Sequence, residues 1–321
     1  MEAICQFLQA GSAFLIASHA NPDGDAIASI LGTTRLLAAL GKRAIPFSRD
    51  PAPESFRFLP GFLTLQHEFP KEVVDQLLLV DCCEPSRAGI DLTMLNVTGW
   101  GAIDHHRVDR VETAHALIDE TASATTELVY RITKKFGVEI DAALATCLYT
   151  GILTDTGSFR YSNTSPEAMA IAGELIGAGA KPWPIAQAIY ETQRLSRIRL
   201  TAGALQSLEA DLDVGWCSIT ITQRLLQETG ADVTEIDGLI NFPRTIEGAE
   251  VAIQFREVDE RTVKVSFRSR HDVDVATVAK RFGGGGHLRA AGCTVSGRLS
   301  EVKAQIYELI RAQIRQSLPQ R

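Results

Sequence analysis

Through the first half of the chain, short wholly apolar runs alternate with longer stretches whose apolar residues return at helical spacing. That alternation predicts βαβ units around a mostly parallel sheet. Residues 14–18 read as a buried strand, closed by the turn Asn21-Pro22-Asp23-Gly24. Ile27, Ile30, Leu31, Thr34 and Leu37 then keep helical spacing until Gly41 ends the run. Residues 42–47, 75–80 and 99–103 read as further strands. Residues 123–136 and 141–151 read as helices, and Ser165-Pro166-Glu167 has the form of an N-cap with proline at the first helical position.

From 185 to about 210 the pattern stays helical and is polar on one side, with Gln193, Arg194, Arg197 and Arg199. Beyond it, residues 215–221, 250–256 and 262–269 alternate or are β-branched and read as strands. A glycine run at 283–286 interrupts that region, and an amphipathic helix over 299–318 closes it. The predicted architecture is α/β: an N-terminal doubly wound, mostly parallel sheet domain (1–184), a helical linker (185–212), and a smaller mixed α/β C-terminal domain (213–321). No internal repeat or low-complexity tract is visible.

Composition narrows the chemistry. With 321 residues, 45% hydrophobic and 22% charged, the chain has apolar material for two cores. A net charge of −7 argues against a long nucleic-acid channel or duplex partner, which needs a basic stripe along the backbone path. A short or mononucleotide substrate stays compatible, met by metals and a few arginines. The six cysteines show no CxxC spacing, so neither a zinc site nor a disulfide framework is indicated. Vicinal Cys82-Cys83 lies beside Asp81, where oxidation would disturb a site. No basic leader precedes the first apolar stretch, and no apolar run is long enough to cross a bilayer, so a cytoplasmic location and no membrane partner are expected.

Carboxylates and imidazoles gather where the apolar segments end. His19, Asp23 and Asp25 follow the first strand, Asp81 follows 75–80, Asp104-His105-His106 follow 99–103, and Asp155 closes the segment 147–153. In open α/β sheets, ligands bind outside the carboxyl ends of the strands. A lone Asp or His at such an end is usually a cap or a surface residue, and His67, His115 and His271 keep that reading. Convergence of this whole set points instead to two divalent metals. Asp81, arriving alone, is the natural bridging carboxylate, and His105 and Asp155 complete the shells. Imidazole and carboxylate without thiolate suit Mn²⁺, with Mg²⁺ the alternative. Two such ions serve in-line phosphoryl displacement, with Asp81, Asp104 and His106 as candidate catalytic residues. The expected enzyme is a metal-dependent phosphoesterase.

A glycine run is by itself most often a linker. Here His287 and the small residues Ala290-Ala291-Gly292 follow it directly. Gly284, Gly285 and Gly286 could expose backbone amides as a phosphate nest or admit a base closely, and His287 and Arg268 could take the substrate's charge.

These segments, His19 to Ala26, Val80-Asp81, Asp104-His105-His106 and Gly151 to Gly157, resemble the four motifs of the DHH phosphoesterase family. Gly283 to Gly292 looks like the signature of its DHH-associated C-terminal substrate domain. The resemblance spans nearly the whole chain, in the family's order. It implies His19, Asp23 and Asp81 on one metal, and Asp25, Asp81, His105 and Asp155 on the other, with His106 behind them. It also implies Arg268 and the segment 284–287 on the substrate's nucleotide or terminal phosphate, in a cleft between domains, and suggests a homodimer. Length and layout look most like the branch that degrades very short RNA to mononucleotides and removes the 3′-phosphate of 3′-phosphoadenosine 5′-phosphate. A soluble phosphodiesterase acting on cyclic or linear dinucleotides is the alternative, and a non-catalytic nucleotide-sensing module is a remoter one.

Overall fold

The structure, a computed structural model, describes residues 1–70, 73–108 and 110–317. The chain divides into two units, Met1–Thr192 and Gln193–Arg321.

In the first unit, α1 (Glu2–Ala10) leads into β1 (Ala13–Ala17), α2 (Gly24–Ala39), β2 (Arg43–Phe47), β3 (Gln76–Val80), β4 (Gly99–Asp104) and β5 (Ala116–Ile118). Four helices follow one another to the end of the unit: α3 (Thr125–Lys135), α4 (Ala142–Asp155), α5 (Pro166–Gly177) and α6 (Pro182–Tyr190). All strand pairings are parallel, in the order β2-β1-β3-β4-β5. This is a doubly wound order whose direction reverses between β1 and β3, the place where open α/β sheets bind their ligands. Phe14, Ile16, Leu78, Val80 and Ile103 share one core with α1 to α6. Their neighbours Leu15, Ala17, Leu77 and Leu79 face a second core closed by Cys82, Cys83, Ala88 and Ile90. Burial on both faces is why these strands are continuous apolar runs with no alternation.

The structure departs from the predicted elements in three ways. The helix expected over 141–151 runs on to Asp155, so that residue is the last of a helix and lies on no loop. Nothing from Ile152 to Asp155 stops a helix, and the break comes at Gly157, with φ of 56°. The single helical connector expected over 185–212 is broken: α6 ends at Tyr190, and α7 (Leu195–Gln206) begins the second unit. Its last part is β6 (Glu209–Asp211), an edge strand too short and polar to leave a period.

The second unit continues with β7 (Trp216–Ile221), α8 (Gln223–Thr229), α9 (Asn241–Arg244), β8 (Val251–Asp259) and β9 (Thr262–Ser269). It closes with α10 (Val275–Lys280), β10 (Gly285–His287), β11 (Ala290–Ser296) and α11 (Leu299–Ser317). The sheet order is β10-β11-β9-β8-β7-β6, antiparallel except for the β7–β8 pair. Helix α11 buries Val302, Ile306, Ile310 and Ile314, one per turn, against Val251, Ile253, Phe255 and Phe267. Each such side chain contributes roughly 1.5–3 kcal/mol. The expected last helical residue, Leu318, lies outside the described residues. Among the described residues no helix is long and apolar enough to cross a membrane.

Candidate metal centre

Three parallel strands end side by side, and each hands over its ligand-bearing residue within one or two positions. After β1, His19 donates from Nδ1 to its neighbour's carbonyl, Ala20 O, at 3.0 Å. A carbonyl only accepts, so the proton is fixed on Nδ1 and the Nε2 lone pair points away. Asp23 is the N-cap of α2, accepting the Ala26 N–H at 3.1 Å. After β3, Asp81 is buried (1% exposed) at a φ of 59°, a left-handed conformation that Asp tolerates better than most residues. Its N–H donates to Ile103 O at 2.9 Å, which ties the strained residue to β4.

His105 donates from Nδ1 to Ala122 O at 3.2 Å, leaving its Nε2 lone pair free in the same way. That Nε2 is buried with no hydrogen-bond partner, 3.4 Å from Asp155 Oδ2 and 3.8 Å from Asp81 Oδ1. His19 Nε2 lies 3.4 Å from Asp81 Oδ2. Lone pairs facing carboxylate oxygens at these separations fit a cation between them. Among the described residues, two groups have the reach of a metal site: His19, Asp23 and Asp81, with ligand atoms within 4.8 Å of one another, and Asp81, His105 and His106 likewise. Asp81 belongs to both.

Asp25 and Asp155 reach the cluster from helices. Asp25 Oδ2 accepts the Thr125 N–H at 2.6 Å, and its Oδ1 accepts the Thr126 hydroxyl at 2.8 Å and N–H at 3.2 Å. It therefore sits on the first turn of α3, where free N–H groups favour a carboxylate. Thr125 Oγ1 donates to Asp81 Oδ1 at 2.9 Å, and Asn163 Nδ2 donates to Asp155 Oδ2 at 3.4 Å. Two glycines let α2 and α4 approach closely enough. A Cβ at Gly24 would lie 2.6 Å from the Thr154 side chain, and one at Gly151 would lie 2.3 Å from Asp25 Oδ1.

So many carboxylates in one buried place cannot all stay ionised cheaply. Burial, then the charges of Asp81, Asp155 and Asp23, raise the Asp25 pKa well above its ordinary value. Burial, with Asp81 and Asp23 and against His105, raises Asp155 to about 6. His106 is raised to about 9, chiefly by its hydrogen bond to Asp104. Protons here occupy places that divalent cations fit.

Asp104 takes a different position from the other acids. It is fully buried, and its Oδ1 accepts from His106 N at 3.0 Å and from His106 Nδ1 at 2.8 Å. Burial raises its pKa, but the hydrogen bonds from His106 outweigh this and hold it below the ordinary value. It belongs to neither metal group and fixes the His106 ring. Asp104, expected among the catalytic residues, is placed behind the His106 ring, with Oδ1 held by it and Oδ2 buried without a partner.

In the second unit, Ala290 pairs with Arg268 on one side and His287 on the other, so the three share a sheet face with only a methyl group between guanidinium and imidazole. Arg268 donates from Nη1 to Phe267 O at 2.9 Å, and burial together with nearby Arg244 lowers its pKa. The glycine run does not interrupt the sheet: residues 285–287 form β10, antiparallel to β11. Glycine is required at two of its positions for strand packing. A Cβ at Gly284 would lie 2.3 Å from Gly292 O, and one at Gly286, with φ of 139°, would lie 2.4 Å from Ala290 O. A Cβ at Gly283, with φ of 70°, or at Gly285 would meet nothing within 4 Å.

Several supporting groups escaped sequence reading: Ala20 O, Ala122 O, Thr125, Thr126 and Asn163. Backbone carbonyls leave no sequence signal at all. Thr125-Thr126 read only as a helix start, although a pair of hydroxyls at a helix N-terminus is a plausible carboxylate seat. Cys82 and Cys83 are buried, and burial raises both thiols, so they stay protonated rather than acting as thiolate ligands.

Residues 13–152 match the model of the DHH family, N-terminal domain, and residues 218–316 match that of the DHHA1 domain. The chain is similar to the bifunctional oligoribonuclease and PAP phosphatase NrnA of Thermus thermophilus, 35% identical over 93% of this chain and 89% of the relative. Its counterpart in Bacillus subtilis is 27% identical over 86% of this chain and 87% of that protein. An exopolyphosphatase-related protein of Bacteroides fragilis has a solved structure that aligns with a TM-score of 0.86 and 27% identity, over 97% of this chain and 96% of its own. With both domain models matched in order and the ligand-bearing strand ends gathered at one site, the chain belongs to the DHH family of metal-dependent phosphoesterases.

Proposed function

We propose that the protein hydrolyses very short oligoribonucleotides to mononucleotides and removes the 3′-phosphate of 3′-phosphoadenosine 5′-phosphate, using two divalent cations, Mn²⁺ before Mg²⁺. The observation that carries this reading is Asp81, which belongs to two ligand groups at the reversal point of the sheet. In it, His19, Asp23 and Asp81 hold one cation, and Asp25, Asp81, His105 and Asp155 the other. Bound there, divalent cations supply Lewis-acid stabilisation of charge on the phosphoryl group.

The residues themselves orient and move protons. Asp104 fixes the His106 ring through Nδ1, and that hydrogen bond favours its protonated form. The half-exposed imidazolium then offers its Nε2–H to a phosphate oxygen or to the leaving group. Arg268, the segment Gly284 to Gly286, and His287 take the nucleotide. That the NrnA relatives act on oligoribonucleotides and PAP supports the substrate class.

The test is turnover on a dinucleotide RNA, a five-nucleotide RNA, a 24-nucleotide RNA, 3′-phosphoadenosine 5′-phosphate and cyclic di-AMP, with Mn²⁺ and with a chelator. Fast loss of the short RNAs and the bisphosphate, with the long strand spared, is expected. Preference for cyclic di-AMP would replace this reading with a dinucleotide phosphodiesterase. Silence on all five with metal bound would leave a sensor.

Arg268→Ala and His287→Ala should raise KM for the nucleotides by about tenfold while changing hydrolysis of bis(p-nitrophenyl) phosphate little. Equal losses on both would refute a recognition role.

Metal should also stabilise the fold in a pH-dependent way. A raised pKa stabilises the native state below the ordinary pKa, and that contribution is lost as pH rises through the raised value. For Asp155 the loss runs from 3.8 to about 6, and for His106 from 6.5 to about 9. Cations replace these protons, so the gain in Tm on adding Mn²⁺ should be larger at pH 8 than at pH 6. A scanning-fluorimetry series with an equal or smaller gain at pH 8 contradicts this.

A further inference from the structure

Two guanidinium groups stand on the loops beside the metal-ligand loop and take no part in the chemistry above. Arg49 follows β2 by two positions, and Arg87 lies on the tight turn after Asp81. The Ala20 N–H, next to His19, donates to Arg87 O at 2.8 Å. That turn is closed by Gly89 N to Ser86 O at 3.0 Å and Ile90 N to Pro85 O at 2.9 Å. At Gly89, with φ of 66°, a Cβ would fall 2.4 Å from both Cδ and Nη1 of Arg49. The Arg49 side chain is therefore laid flush across the turn that carries Arg87. Asn21 N donates to Asp50 Oδ2 at 2.8 Å, which fastens the Arg49 loop to the same metal-ligand loop.

Both side chains are exposed, and neither guanidinium donates a hydrogen bond or meets a carboxylate among the described residues. The nearest acid in sequence, Asp50, has one carboxylate oxygen on the Asn21 amide, and Glu84 stands exposed at the start of the turn. Two exposed arginines on adjoining loops, neither meeting a carboxylate, leave their charge available to an anion, and the planar fork matches a phosphate in bidentate geometry.

We propose that Arg49 and Arg87 form a second anion subsite in the first unit, which takes the phosphate that is not being hydrolysed. This rests on the phosphoesterase reading and deepens it. In 3′-phosphoadenosine 5′-phosphate the spare group is the 5′-phosphate. In a short RNA it is the neighbouring phosphodiester. One arginine pair thus serves both substrates, because each places a second phosphate one nucleoside away from the first.

The test compares nucleotides that differ only in that group. Full-length protein, Arg49→Ala, Arg87→Ala and the double variant are titrated by calorimetry in Ca²⁺ with 3′-phosphoadenosine 5′-phosphate and with 3′-AMP. The same pair is then assayed for turnover in Mn²⁺. The unmodified protein should bind the bisphosphate more tightly, and the double variant should lose about 10- to 100-fold on it, the worth of one or two charge-assisted contacts. Binding of 3′-AMP and hydrolysis of bis(p-nitrophenyl) phosphate should stay within about twofold. Arg49→Lys should recover part of the loss, since charge is kept and the fork is not. Equal losses on 3′-AMP and the bisphosphate, or no loss on either, overturn the subsite. Absence of turnover by the unmodified protein would count against the phosphoesterase reading alone, because the binding ratio judges the subsite separately.

Discussion

Asp81→Asn should abolish turnover while leaving the metal-free protein at least as stable as the parent. Its carboxylate belongs to both ligand groups, so the substitution weakens both at once. Removing a single stabilising donor from an active site already costs about 10²–10³ in kcat, and a shared ligand should exceed that. Asparagine is the informative replacement, since it keeps the shape and tolerates the φ of 59° at this position. Alanine would add backbone strain of order 1 kcal/mol or more and confuse the two effects. Without metal, the Asp81 charge adds to burial in raising Asp25 and Asp155. Neutralising it relieves that repulsion, so Tm in chelator should hold or rise as activity falls. Metal content by mass spectrometry, kcat and Tm in chelator form one decisive set. Near-parental turnover, or full loading with two ions, would defeat the bridging assignment.

Gly151→Ala should destabilise the fold and weaken metal binding together. In a helix interior this substitution ordinarily stabilises by roughly 0.5–1 kcal/mol. At Gly151 the new Cβ would lie 2.3 Å from Asp25 Oδ1 and 2.3 Å from Thr126 Oγ1, both part of the carboxylate seat. Neither can retreat, since Asp25, Thr125 and Thr126 are buried and bonded to one another. Overpacking of this kind costs about 1–3 kcal/mol, and here it also displaces a proposed ligand. Gly173 supplies the control: it lies inside α5, where an added Cβ meets nothing within 4 Å. Denaturant midpoints should move in opposite directions for the two variants, with metal affinity lost only in Gly151→Ala. A Gly151→Ala protein as stable and as well loaded as Gly173→Ala would show that the helices can part without harm.

The same two positions show how far the sequence could be read. Apolar runs gave β1, β3 and β4 to within a residue, and the acids and imidazoles at their ends were visible because strand ends are marked by a loss of hydrophobicity. Asp155 was visible as a residue, but its setting was misread, because Gly151 looked like a helix end. Its lack of a side chain answers a need in α2, which periodicity within α4 cannot reveal. Asp104 was read as a candidate catalytic residue from its neighbours in sequence, and its full burial and its bond to His106 became visible only in the structure.

By itself, the sequence determined the alternation from β1 through α2, β2 and β3 to β4, the acids and imidazoles at the ends of those strands, and the family, while α1 and β5 left no readable pattern. These rest on local composition, on periods of two and 3.6 residues, and on spacing, all of which are written along the chain. Tertiary structure alone decided that β1 and β3 lie side by side, which makes Asp81 common to two ligand groups. It also decided which imidazole nitrogens are held by carbonyls, and that Arg49 rests on the turn of Arg87. Such facts depend on distances between residues far apart in sequence, and a few tenths of an ångström in helix packing settle them.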